Sequence, residues 1–369
     1  MNKYNSDLEC VVIGSGIIGL SIARSLIAKN KEVVIVEKNN SFGAENSSRN
    51  SGVIHAGIYY KNGSLKSQFC NVGNKILYKF AEDKKIKFNN CGKLIVAKNL
   101  EERKDLLKIQ NNAKKNGVTL EYLDKKQIKK SEPNLESEAA LFSPTSGIVD
   151  VYDIMLNILA DFESRGGKIA FNSEVIRIEP KSKFIRFFID NQTSFTTKLL
   201  INCAGLNSHL VAKNIYGINK NKIPKIRYIK GNYMKLNHKS PFNKLIYPLP
   251  TKDGLGIHST LDFNQRTFFG PDEREVSCID FNVDNDIEEK FYNSIKFFWP
   301  DIKKEFISPD FSGIRTKTLN NDFIIHDHND HNIPGIINLY GIDSPGVTSS
   351  IPLGEYVANK CNDYLENSL

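Results

Sequence analysis

LECVVIGSGIIG, at residues 8–19, is the stretch that decides the fold. Its first six residues form a short apolar run with β-branched side chains, which is typical of a buried parallel strand. Gly14, Gly16 and Gly19 then match the GxGxxG pattern at the point where a strand turns into a helix. Apolar residues recur at helical spacing over 17–29, and a second buried strand is predicted over 32–36. The chain therefore opens with a β-α-β unit.

The β-α-β unit predicts a dinucleotide site. Gly14 permits the tight turn, Gly16 lets the backbone approach a pyrophosphate, and Gly19 lets the helix pack closely on the strand. The helix N-terminus also presents N–H groups and the positive end of its dipole to phosphates. Glu37 ends the second strand, where an acid accepts hydrogen bonds from an adenosine ribose and disfavours a 2′-phosphate. A glycine turn without a ligand is the competing interpretation, and the unit alone does not separate FAD from NAD.

Length and charge bound the classes of function. The chain has 369 residues, 40% of them hydrophobic, so one large domain or two intimately connected domains are expected. Its 50 basic and 42 acidic residues give a net charge of +8, and stretches such as KKQIKK at 125–130 are interpreted as solvated faces. Attraction to anionic substrates or membrane headgroups is the alternative. No basic block is interleaved with aromatics, so we predict no nucleic-acid partner.

The spacing of the cysteines and the hydropathy of the chain indicate the cellular compartment in which the protein is expected. The six cysteines are scattered without a CxxC pair, which is typical of a reduced cytosolic protein. Residues 1–9 are polar and include acids, unlike a signal peptide. No apolar run approaches the roughly 18 residues that a membrane-spanning helix needs. We predict a cytoplasmic protein, with peripheral contact to the inner face of a membrane as the open alternative.

The rest of the chain alternates between helical and strand patterns. The predicted helices are 64–80, 101–115 and 151–163, and the predicted strands are 168–178, 184–189, 195–202 and 336–340. Residues 223–311 differ, because Pro and Gly punctuate β-prone segments there in the manner of an antiparallel sheet. We see no internal repeat and no low-complexity linker, so two domains woven together are predicted.

Three further segments carry a family resemblance. RNSGVIHAGIYY at 49–60 resembles the flavin-facing loop of L-2-hydroxyglutarate dehydrogenases and oxidases, which belong to the D-amino-acid-oxidase-like superfamily of FAD enzymes. INCAGLNS at 201–208 is similar to that superfamily's second glycine element, and GIDSPGVTSS at 341–350 is similar to its C-terminal flavin-binding turn. The resemblance runs from residue 8 to about residue 357, so it spans nearly the whole chain. It implies FAD as the cofactor, bound non-covalently.

The resemblance also implies the fold. We expect an α/β protein in which a Rossmann-like FAD-binding domain is interwoven with an α+β substrate domain that carries a mainly antiparallel sheet. The predicted FAD-binding domain is discontinuous and comprises 1–85, 145–222 and 312–369, and the predicted substrate domain comprises 86–144 and 223–311.

Cofactor contacts are predicted from several parts of the chain. Arg49, Asn50 and Ser51 supply donors for phosphate, ribityl or flavin oxygens. Val175 contacts adenine through its backbone by resemblance, with an ordinary core position as the alternative. The full predicted set is Gly14, Ser15, Gly16, Ile17, Ile18, Gly19, Glu37, Lys38, Arg49, Asn50, Ser51, Gly52, Val53, Val175, Ala204, Gly205, Gly341, Pro345, Gly346, Val347 and Thr348.

The C-terminal turn is expected at the flavin ring. Gly341 and Gly346 allow backbone amides to approach the ring system. A helix predicted to begin near Thr348 aims its N-terminal dipole at the pyrimidine edge, where negative charge develops on reduction.

The family chemistry implies oxidation of an L-2-hydroxy acid, above all L-2-hydroxyglutarate, to the 2-oxo acid. Hydride leaves C2 for the flavin N5, and a base takes the hydroxyl proton. Arg315, in the segment that resembles the family's GIR element, is the predicted carboxylate clamp, because guanidinium grips a carboxylate bidentately. Lys66 resembles another family position and is predicted to bind the distal carboxylate, with a surface salt bridge as the alternative.

Two histidines compete for the role of base. His258 lies in a segment that resembles the substrate-domain strand above the flavin, and His55 lies in the flavin loop, where it could instead orient the ring. Imidazole has the unperturbed pKa that suits this task. A hydrogen-bonded structural role is the alternative for either histidine. Tyr59 and Tyr247 are predicted to line the pocket, with core packing as an equal alternative.

A histidine-rich stretch, HDHNDH at 326–331, invites a metal interpretation. It precedes Ile333-Pro334-Gly335 and has no second ligand cluster of recognisable spacing. We therefore predict a solvated loop and no metal.

One departure from the family pattern leaves the substrate open. YIKGNY at 228–233 carries Lys230 where family members tend to carry Arg before the Gly. Other 2-hydroxy acids, glycerol-3-phosphate-like polyols and secondary amines stay open as substrates. The alternative functions are an amine or amino-acid oxidase of the same superfamily, a flavin-binding protein without turnover, and an NAD-dependent dehydrogenase. The electron acceptor is open among oxygen, a quinone and an electron-transfer protein.

Overall fold

The computed structural model describes residues 6–250 and 256–367. The chain divides into two compact units, each assembled from separate segments. The first unit comprises Met1–Ser48, Val151–Arg227 and Thr316–Leu369, and the second comprises Arg49–Asp150 and Tyr228–Arg315. The expected interweaving of two domains is therefore confirmed. The prediction that residues 1–9 are unlike a signal peptide falls partly on residues 1–5, which lie outside the described residues.

The strands of the described residues range from two to 11 residues in length, and many contain β-branched side chains. In chain order they are β1 (Leu8–Ile13), β2 (Val33–Val36), β3 (Val53–Ile54), β4 (Phe88–Asn89), β5 (Lys93–Ala97), β6 (Glu121–Asp124), β7 (Ala139–Ser143), β8 (Gly147–Val149), β9 (Lys168–Ala170), β10 (Arg177–Pro180), β11 (Ile185–Phe188), β12 (Ser194–Asn202), β13 (Arg227–Leu236), β14 (Leu245–Pro248), β15 (His258–Leu261), β16 (Thr267–Gly270), β17 (Arg274–Val276), β18 (Ile307–Lys317), β19 (Ile324–His326) and β20 (Ile336–Tyr340).

The helices of the described residues vary widely in length. They are α1 (Ile17–Ile27), α2 (Leu65–Asp83), α3 (Arg103–Lys115), α4 (Lys125–Ser131), α5 (Val151–Glu163), α6 (Ser208–Lys213), α7 (Glu288–Lys296), α8 (His328–His331) and α9 (Gly346–Asn367). No helix in the part of the chain that the structure describes is long and apolar enough to cross a membrane.

The first unit is built on a mixed sheet. Its strand order is β10-β11-β12-β1-β2-β9, and β20 pairs in parallel with the C-terminal half of β12. β1 pairs in parallel with both β2 and β12, while β10 and β11 are antiparallel additions at one edge. Helix α1 packs against α5 and α9. Buried apolar parallel strands need helices to cover them, and α1 and α9 contact strands of this sheet. The predicted Rossmann-like arrangement is therefore confirmed.

The second unit carries a larger, mainly antiparallel sheet. Its strand order is β17-β13-β16-β15-β14-β5-β7-β6, and β18 pairs with β13. β14 pairs in parallel with β5, and the neighbouring pairs β14–β15 and β5–β7 are antiparallel. A small sheet of order β3-β8-β4 completes the unit. The predicted antiparallel sheet is confirmed.

Several element boundaries differ from the sequence prediction. The strand predicted over 168–178 is broken into β9 and β10, since Asn172 adopts a left-handed φ of 53°. The backbone N–H groups of Asn172 and Ser173 donate to the carbonyls of Asn39 and Glu37 instead. The break turns this segment across the end of β2. α9 begins at Gly346, two residues before the predicted start.

The compact units also divide the chain differently from the predicted domain boundaries. Residues 49–85 and 145–150 belong to the second unit, although the prediction placed them in the FAD-binding domain. Strand pairing ties these segments to the second unit, because β3 pairs with β8, and β8 pairs with β4 at Phe88–Asn89. Which domain these segments serve in binding stays a prediction.

Candidate active site

A cavity in the first unit opens where β1 and β2 end. The predicted motif contributes Gly14 and Gly16 to its wall, and the second strand contributes Glu37 and Lys38. The lining residues are Ile13, Gly14, Gly16, Val36, Glu37, Lys38, Asn39, Gly43, Ala44, Glu45, Asn46, Ser47, Ser173, Glu174, Val175, Cys203, Ala204, Gly205, Leu206, Asn207 and Val211. We call this the first-unit cavity.

The glycines of the motif are required by close approach. Gly14 has a φ of 100°, and a Cβ there would lie 2.7 Å from the carbonyl oxygen of Cys203. A Cβ on Gly19 would overlap the carbonyl oxygen of Gly14, so the helix could not pack on the strand. Gly16 is the N-cap of α1 with an ordinary φ of −69°, and a Cβ there would lie 3.0 Å from the Oγ of Ser47. Gly16 therefore keeps the wall of the cavity clear rather than relieving the backbone.

Glu37 is held in place by neighbouring donors. Its Oε2 accepts hydrogen bonds from the Ser15 N–H at 2.8 Å and the Ser15 hydroxyl at 2.9 Å. Its Oε1 accepts from the N–H and the side-chain amide of Asn39. These four bonds fill the lone-pair sites of the carboxylate and fix it at the cavity wall, so a ribose hydroxyl would bond to it by displacing one of the present donors, such as the Ser15 hydroxyl.

Other predicted cofactor residues line the same wall. Val175 is buried there, in the segment that breaks the predicted strand, and Ala204 and Gly205 follow β12. Lys38 lines the cavity and forms an ion pair with Glu45 at 2.5 Å. The backbone N–H of Ile17 donates to the Ser47 Oγ at 3.0 Å, so this amide is already bonded within the protein.

The predicted C-terminal turn leads into α9. Gly341 adopts a φ of 64°, and a Cβ there would overlap a methyl group of Thr318. The hydroxyl oxygens of Ser349 and Ser350 are buried without a hydrogen-bond partner among the described residues. Buried hydroxyls near a helix N-terminus that lack a protein partner are suited to a polar ligand.

FAD fits the first unit on these observations. The cavity combines a clear glycine turn, a helix N-terminus and an oriented carboxylate, which match the needs of a pyrophosphate and an adenosine ribose. The orphan hydroxyls of Ser349 and Ser350 supply unused donors and acceptors on α9. The residues present are therefore compatible with a flavin dinucleotide.

Sequence reasoning missed much of the cavity wall. Loop 43–47, with its short 3-10 helix at Asn46–Ser48, contributes five lining residues, and 173–174 contribute two more. Residues 39–63 are rich in Gly, Ser and Asn, but such composition does not show which backbone faces a ligand. One signal in the sequence could have indicated a residue such as Ser47. Helix α1 begins after Gly16, which has no side chain to cap the first N–H groups, so another polar side chain must accept from them.

The second unit brings together the residues predicted to handle the substrate. β14 and β15 are neighbours, and the Tyr247 and His258 rings stack with centroids 3.8 Å apart and an interplanar angle of 21°. The His258 Nδ1 lies 2.9 Å from the Gly256 carbonyl oxygen. A carbonyl only accepts, so Nδ1 carries the proton and Nε2 of the neutral ring is left as an acceptor.

His55 follows strand β3 and is held through its main chain. Its carbonyl oxygen accepts from the side-chain amide of Asn74 at 3.0 Å and from the Cys70 thiol at 3.4 Å. The following loop is tied to α3, since the Asn112 amide donates to the Ile58 carbonyl at 2.8 Å. His55 is partly exposed, whereas His258 is 3% exposed. The loop therefore presents His55 from a fixed backbone.

Lys93 is a member of this group that the sequence prediction missed. It lies at the start of β5 with 1% of its surface exposed. Its Nζ lies 4.2 Å from the centroid of the Tyr247 ring and 5.8 Å from that of Tyr59. Lys93, His55, His258, Tyr247 and Arg315 form what we call the His–Lys cluster.

The charges of the cluster act on one another. Burial, helped by the cations Arg315 and Lys93 and opposed by the hydrogen bond to Gly256, lowers the pKa of His258 to about 3. Desolvation, followed by Lys93, His258 and Arg315, lowers the pKa of His55 well below its ordinary value. Burial lowers the pKa of Lys93 to about 8. Both imidazoles are consequently neutral at pH 7, as a proton acceptor must be.

Arg315 ends the second unit. Its Nη1 donates to Glu273 Oε1 at 2.9 Å, and its guanidinium is partly buried. Burial raises the pKa of the Tyr233 hydroxyl, while Arg315 and a hydrogen bond to Ser51 oppose the rise. A guanidinium carries five N–H donors, so a carboxylate can bind Arg315 in addition to Glu273.

The other predicted residues of the flavin loop also belong to the second unit. The Arg49 guanidinium lies 4.3 Å above the Phe281 ring, and its Nε is buried without a hydrogen-bond partner among the described residues. The Asn50 side chain accepts from the N–H of Gly52, which has a φ of 64°. Val53 is buried in β3. Residues 49–53 thus belong to the same compact unit as the His–Lys cluster.

Two lysines named in the sequence analysis are buried. Lys66 lies in α2 with 5% exposure, and its role in binding a distal carboxylate stays a prediction. Lys230 is 2% exposed, and its Nζ contacts Asp280 at 3.0 Å and Asp284 at 2.9 Å. Two carboxylates therefore compensate the charge of Lys230.

The histidine-rich stretch is more ordered than the predicted solvated loop. Asp327 caps the single-turn helix α8 in a reciprocal pair with Asp330, and His331 is buried. The Nδ1 of His331 accepts from the Ile333 N–H at 3.2 Å. The stretch forms a capped turn that connects β19 and β20.

The buried histidines predict a pH dependence of stability. The pKa of His258 is about 3 in the folded protein and about 6.5 when unfolded, so the unfolded state binds more protons between these values. The free energy of unfolding should therefore fall as pH drops below about 6.5. Urea unfolding at several pH values between 6.5 and 5 gives the free energy of unfolding as a function of pH. This free energy should fall less steeply for His258→Asn than for the wild type, by up to about 1.4 kcal/mol per pH unit. Identical slopes would show that His258 is not buried in its neutral form.

Known proteins match this chain over most of its length. The model of the FAD dependent oxidoreductase family, DAO, matches residues 9–360. The mitochondrial L-2-hydroxyglutarate dehydrogenase of Arabidopsis thaliana is 35% identical, over 96% of this chain and 83% of its own length. A glycerol 3-phosphate dehydrogenase of Caloramator mitchellensis is 29% identical, over 95% of this chain and 72% of its own length.

A solved structure shares the fold. The L-alpha-glycerophosphate oxidase of Mycoplasma pneumoniae, with FAD bound, superimposes with a TM-score of 0.88 at 23% identity, over 96% of this chain and 94% of that one. The family match, the shared fold and a first-unit cavity that suits a flavin dinucleotide agree with one another. The chain therefore belongs to the DAO family of FAD-dependent oxidoreductases.

Proposed function

We propose that this protein oxidises L-2-hydroxyglutarate to 2-oxoglutarate. The observation that carries the proposal is the 35% identity to an L-2-hydroxyglutarate dehydrogenase over 96% of the chain. The His–Lys cluster supports it, because two buried or partly buried cations beside neutral imidazoles suit a substrate with two carboxylates and one hydroxyl. FAD, when bound, supplies the acceptor for the two electrons and the hydrogen from C2.

His55 is the proton acceptor in this proposal. It is partly exposed and follows a backbone fixed by Asn74 and Cys70, so a substrate can reach its ring. His258 is buried against Tyr247 and uses Nδ1 to bind Gly256, which suits a ring that positions the substrate. The proton moves from the C2 hydroxyl to a neutral imidazole nitrogen of His55.

Substrate charge would tune this base. Burial, and after it the cations Lys93 and Arg315, lowers the pKa of His55 in the protein without ligand. A bound carboxylate opposes both cations, so it should raise the pKa of His55 towards the neutral range where a general base works best. The base would then gain strength only when a carboxylate substrate is present.

Arg315 is the proposed carboxylate clamp, and a conservative change tests it. Lys keeps the charge but loses the planar fork that binds a carboxylate bidentately. We expect Arg315→Lys to raise the KM for L-2-hydroxyglutarate about 10- to 100-fold, the loss of one charge-assisted hydrogen bond, with a smaller effect on kcat. Steady-state kinetics with an artificial electron acceptor measures both constants. An unchanged KM would remove Arg315 from the substrate site.

A second candidate reaction is oxidation of a glycerol 3-phosphate. It is favoured by the 29% identity to the Caloramator mitchellensis dehydrogenase over 95% of the chain. A phosphate could bind the same cations, because guanidinium and ammonium both pair with phosphate oxygens. Comparing kcat/KM for L-2-hydroxyglutarate and sn-glycerol 3-phosphate separates the two. Higher kcat/KM with the phosphate ester would replace the proposed substrate.

Non-covalent attachment of FAD is also proposed, in line with the family resemblance. The protein should release its yellow colour into the supernatant after acid precipitation. Colour retained in the pellet would indicate a covalent bond.

A further inference from the structure

Lys93 lies on the sheet face that presents the substrate-handling residues. In the parallel pair β14–β5, Leu245 is opposite Lys93, so side-chain alternation puts Lys93 and Tyr247 on one face. β15 flanks β14 on its other side, and His258 stacks on Tyr247 from there. Tyr247 thus has a cation from one neighbouring strand and an imidazole from the other.

The ammonium of Lys93 lacks a compensating carboxylate. Within residues 6–250 and 256–367, no Asp or Glu forms an ion pair with Nζ, and its close contacts are the faces of Tyr247 and Tyr59. Lys230 provides the contrast within the same unit, because it is equally buried and contacts both Asp280 and Asp284. Burying an unpaired cation is costly, so such a group is poised to bind an anion.

Arg315 already has a counter-ion in Glu273, and both histidines of the cluster are neutral at pH 7. Burial raises the pKa of the Cys70 thiol to about 12, so this neighbour is neutral too. Among the described residues, Lys93 therefore keeps an uncompensated positive charge and is a buried donor that a bound anion would neutralise.

We propose that Lys93 binds one of the two substrate carboxylates, while Arg315 binds the other. The inference rests on the proposed function and deepens it, since it makes the enzyme selective for dianions. It also assigns the second clamp to Lys93 in place of Lys66, the lysine that the sequence had suggested. The paired cations would reject monocarboxylic hydroxy acids, because one buried ammonium would then remain uncompensated.

The experiment uses the FAD-loaded enzyme and two unreactive probes, glutarate and butyrate. Both share a carboxylate and a short alkyl chain, and glutarate adds the second carboxylate. Changes in the flavin absorbance give the dissociation constants, and thermal unfolding gives the stability with and without each probe. The test variant is Lys93→Met, which keeps the length of the side chain and removes its charge.

We expect Lys93→Met to weaken glutarate binding at least about 10-fold, as expected for one charge-assisted hydrogen bond, and to leave butyrate binding within about 3-fold. Without a probe, its unfolding temperature should equal or exceed that of the wild type, because a buried unpaired cation is removed. A purely structural lysine would not combine unchanged stability with a selective loss of the dianion.

Lys230→Met is the matched control. It removes an equally buried lysine but leaves Asp280 and Asp284 without their partner, so it should lower the unfolding temperature. The preference for glutarate over butyrate should be the same as in the wild type.

The possible failures are distinguishable. A wild type that binds glutarate, with Lys93→Met binding it equally well, overturns the role of Lys93 alone. Marked destabilisation of Lys93→Met without a probe also overturns it, since Lys93 would then be a structural cation. A wild type that neither binds glutarate nor is reduced by L-2-hydroxyglutarate overturns the proposed function, and the inference falls with it.

Discussion

Replacing His55 by Gln should slow reduction of the bound FAD by L-2-hydroxyglutarate about 10²- to 10⁴-fold, the usual contribution of a positioned general base. Glutamine can still form hydrogen bonds but cannot accept the hydroxyl proton. Rapid mixing without oxygen, with the flavin absorbance followed in time, measures this step directly. In the wild type the rate of flavin reduction should rise with pH as the base loses its proton, and the variant should lose this rise.

His258→Gln is the matched comparison, because it removes an imidazole of the same cluster. Its ring is buried against Tyr247, so we expect weaker substrate binding with a pH profile that keeps the wild-type shape. The opposite pattern, with the larger rate loss and the altered profile in His258→Gln, would transfer the role of base to His258. The two variants therefore decide the choice that the sequence left open.

Gly16→Val should be purified without yellow colour and should fail to take up added FAD. Gly16 lines the first-unit cavity at the N-cap of α1, and its φ of −69° is one that valine can adopt. The added side chain would fill the space in which the backbone approaches the pyrophosphate. Fluorescence titration with FAD measures the loss, and circular dichroism checks that the protein is folded.

A milder pair of variants separates packing from ligand exclusion. A Cβ at position 16 would lie 3.0 Å from the Ser47 Oγ, so Gly16→Ala introduces a close contact within the protein. Adding Ser47→Ala relieves that contact. FAD affinity should stay low in the double variant if the Cβ blocks the pyrophosphate. Full recovery would mean that Gly16 serves only the packing of loop 43–47.

Local patterns were enough to predict the dinucleotide-binding unit. β1, α1 and β2 follow one another within 30 residues, and their apolar periodicity and glycine spacing are local properties of the chain. The prediction of one strand over 168–178 was wrong because a contact between distant parts of the chain breaks that strand. Asn172 and Ser173 bond to the backbone at the end of β2, a contact between segments far apart in sequence.

The missed members of the candidate site have the same explanation. Lys93 opens the run KLIVA, whose pattern predicts a buried strand and says nothing of the neighbours of its lysine. Its setting depends on β14 and β15, which follow about 150 residues later. Lys230 is a second example, since its partners Asp280 and Asp284 lie about 50 residues later in the chain and no local pattern indicates them. Chemistry-bearing residue types could be read from the chain, but their partners required the sheet order.

The anaerobic absorbance spectrum of the purified protein, before and after addition of L-2-hydroxyglutarate, tests the central claim most directly. Oxidised-flavin bands should be present at the start and should bleach with the L isomer but not with the D isomer. Flavin bands that persist with both isomers would contradict the proposed substrate. A protein that shows no flavin bands even after incubation with FAD would contradict the assignment of the first-unit cavity.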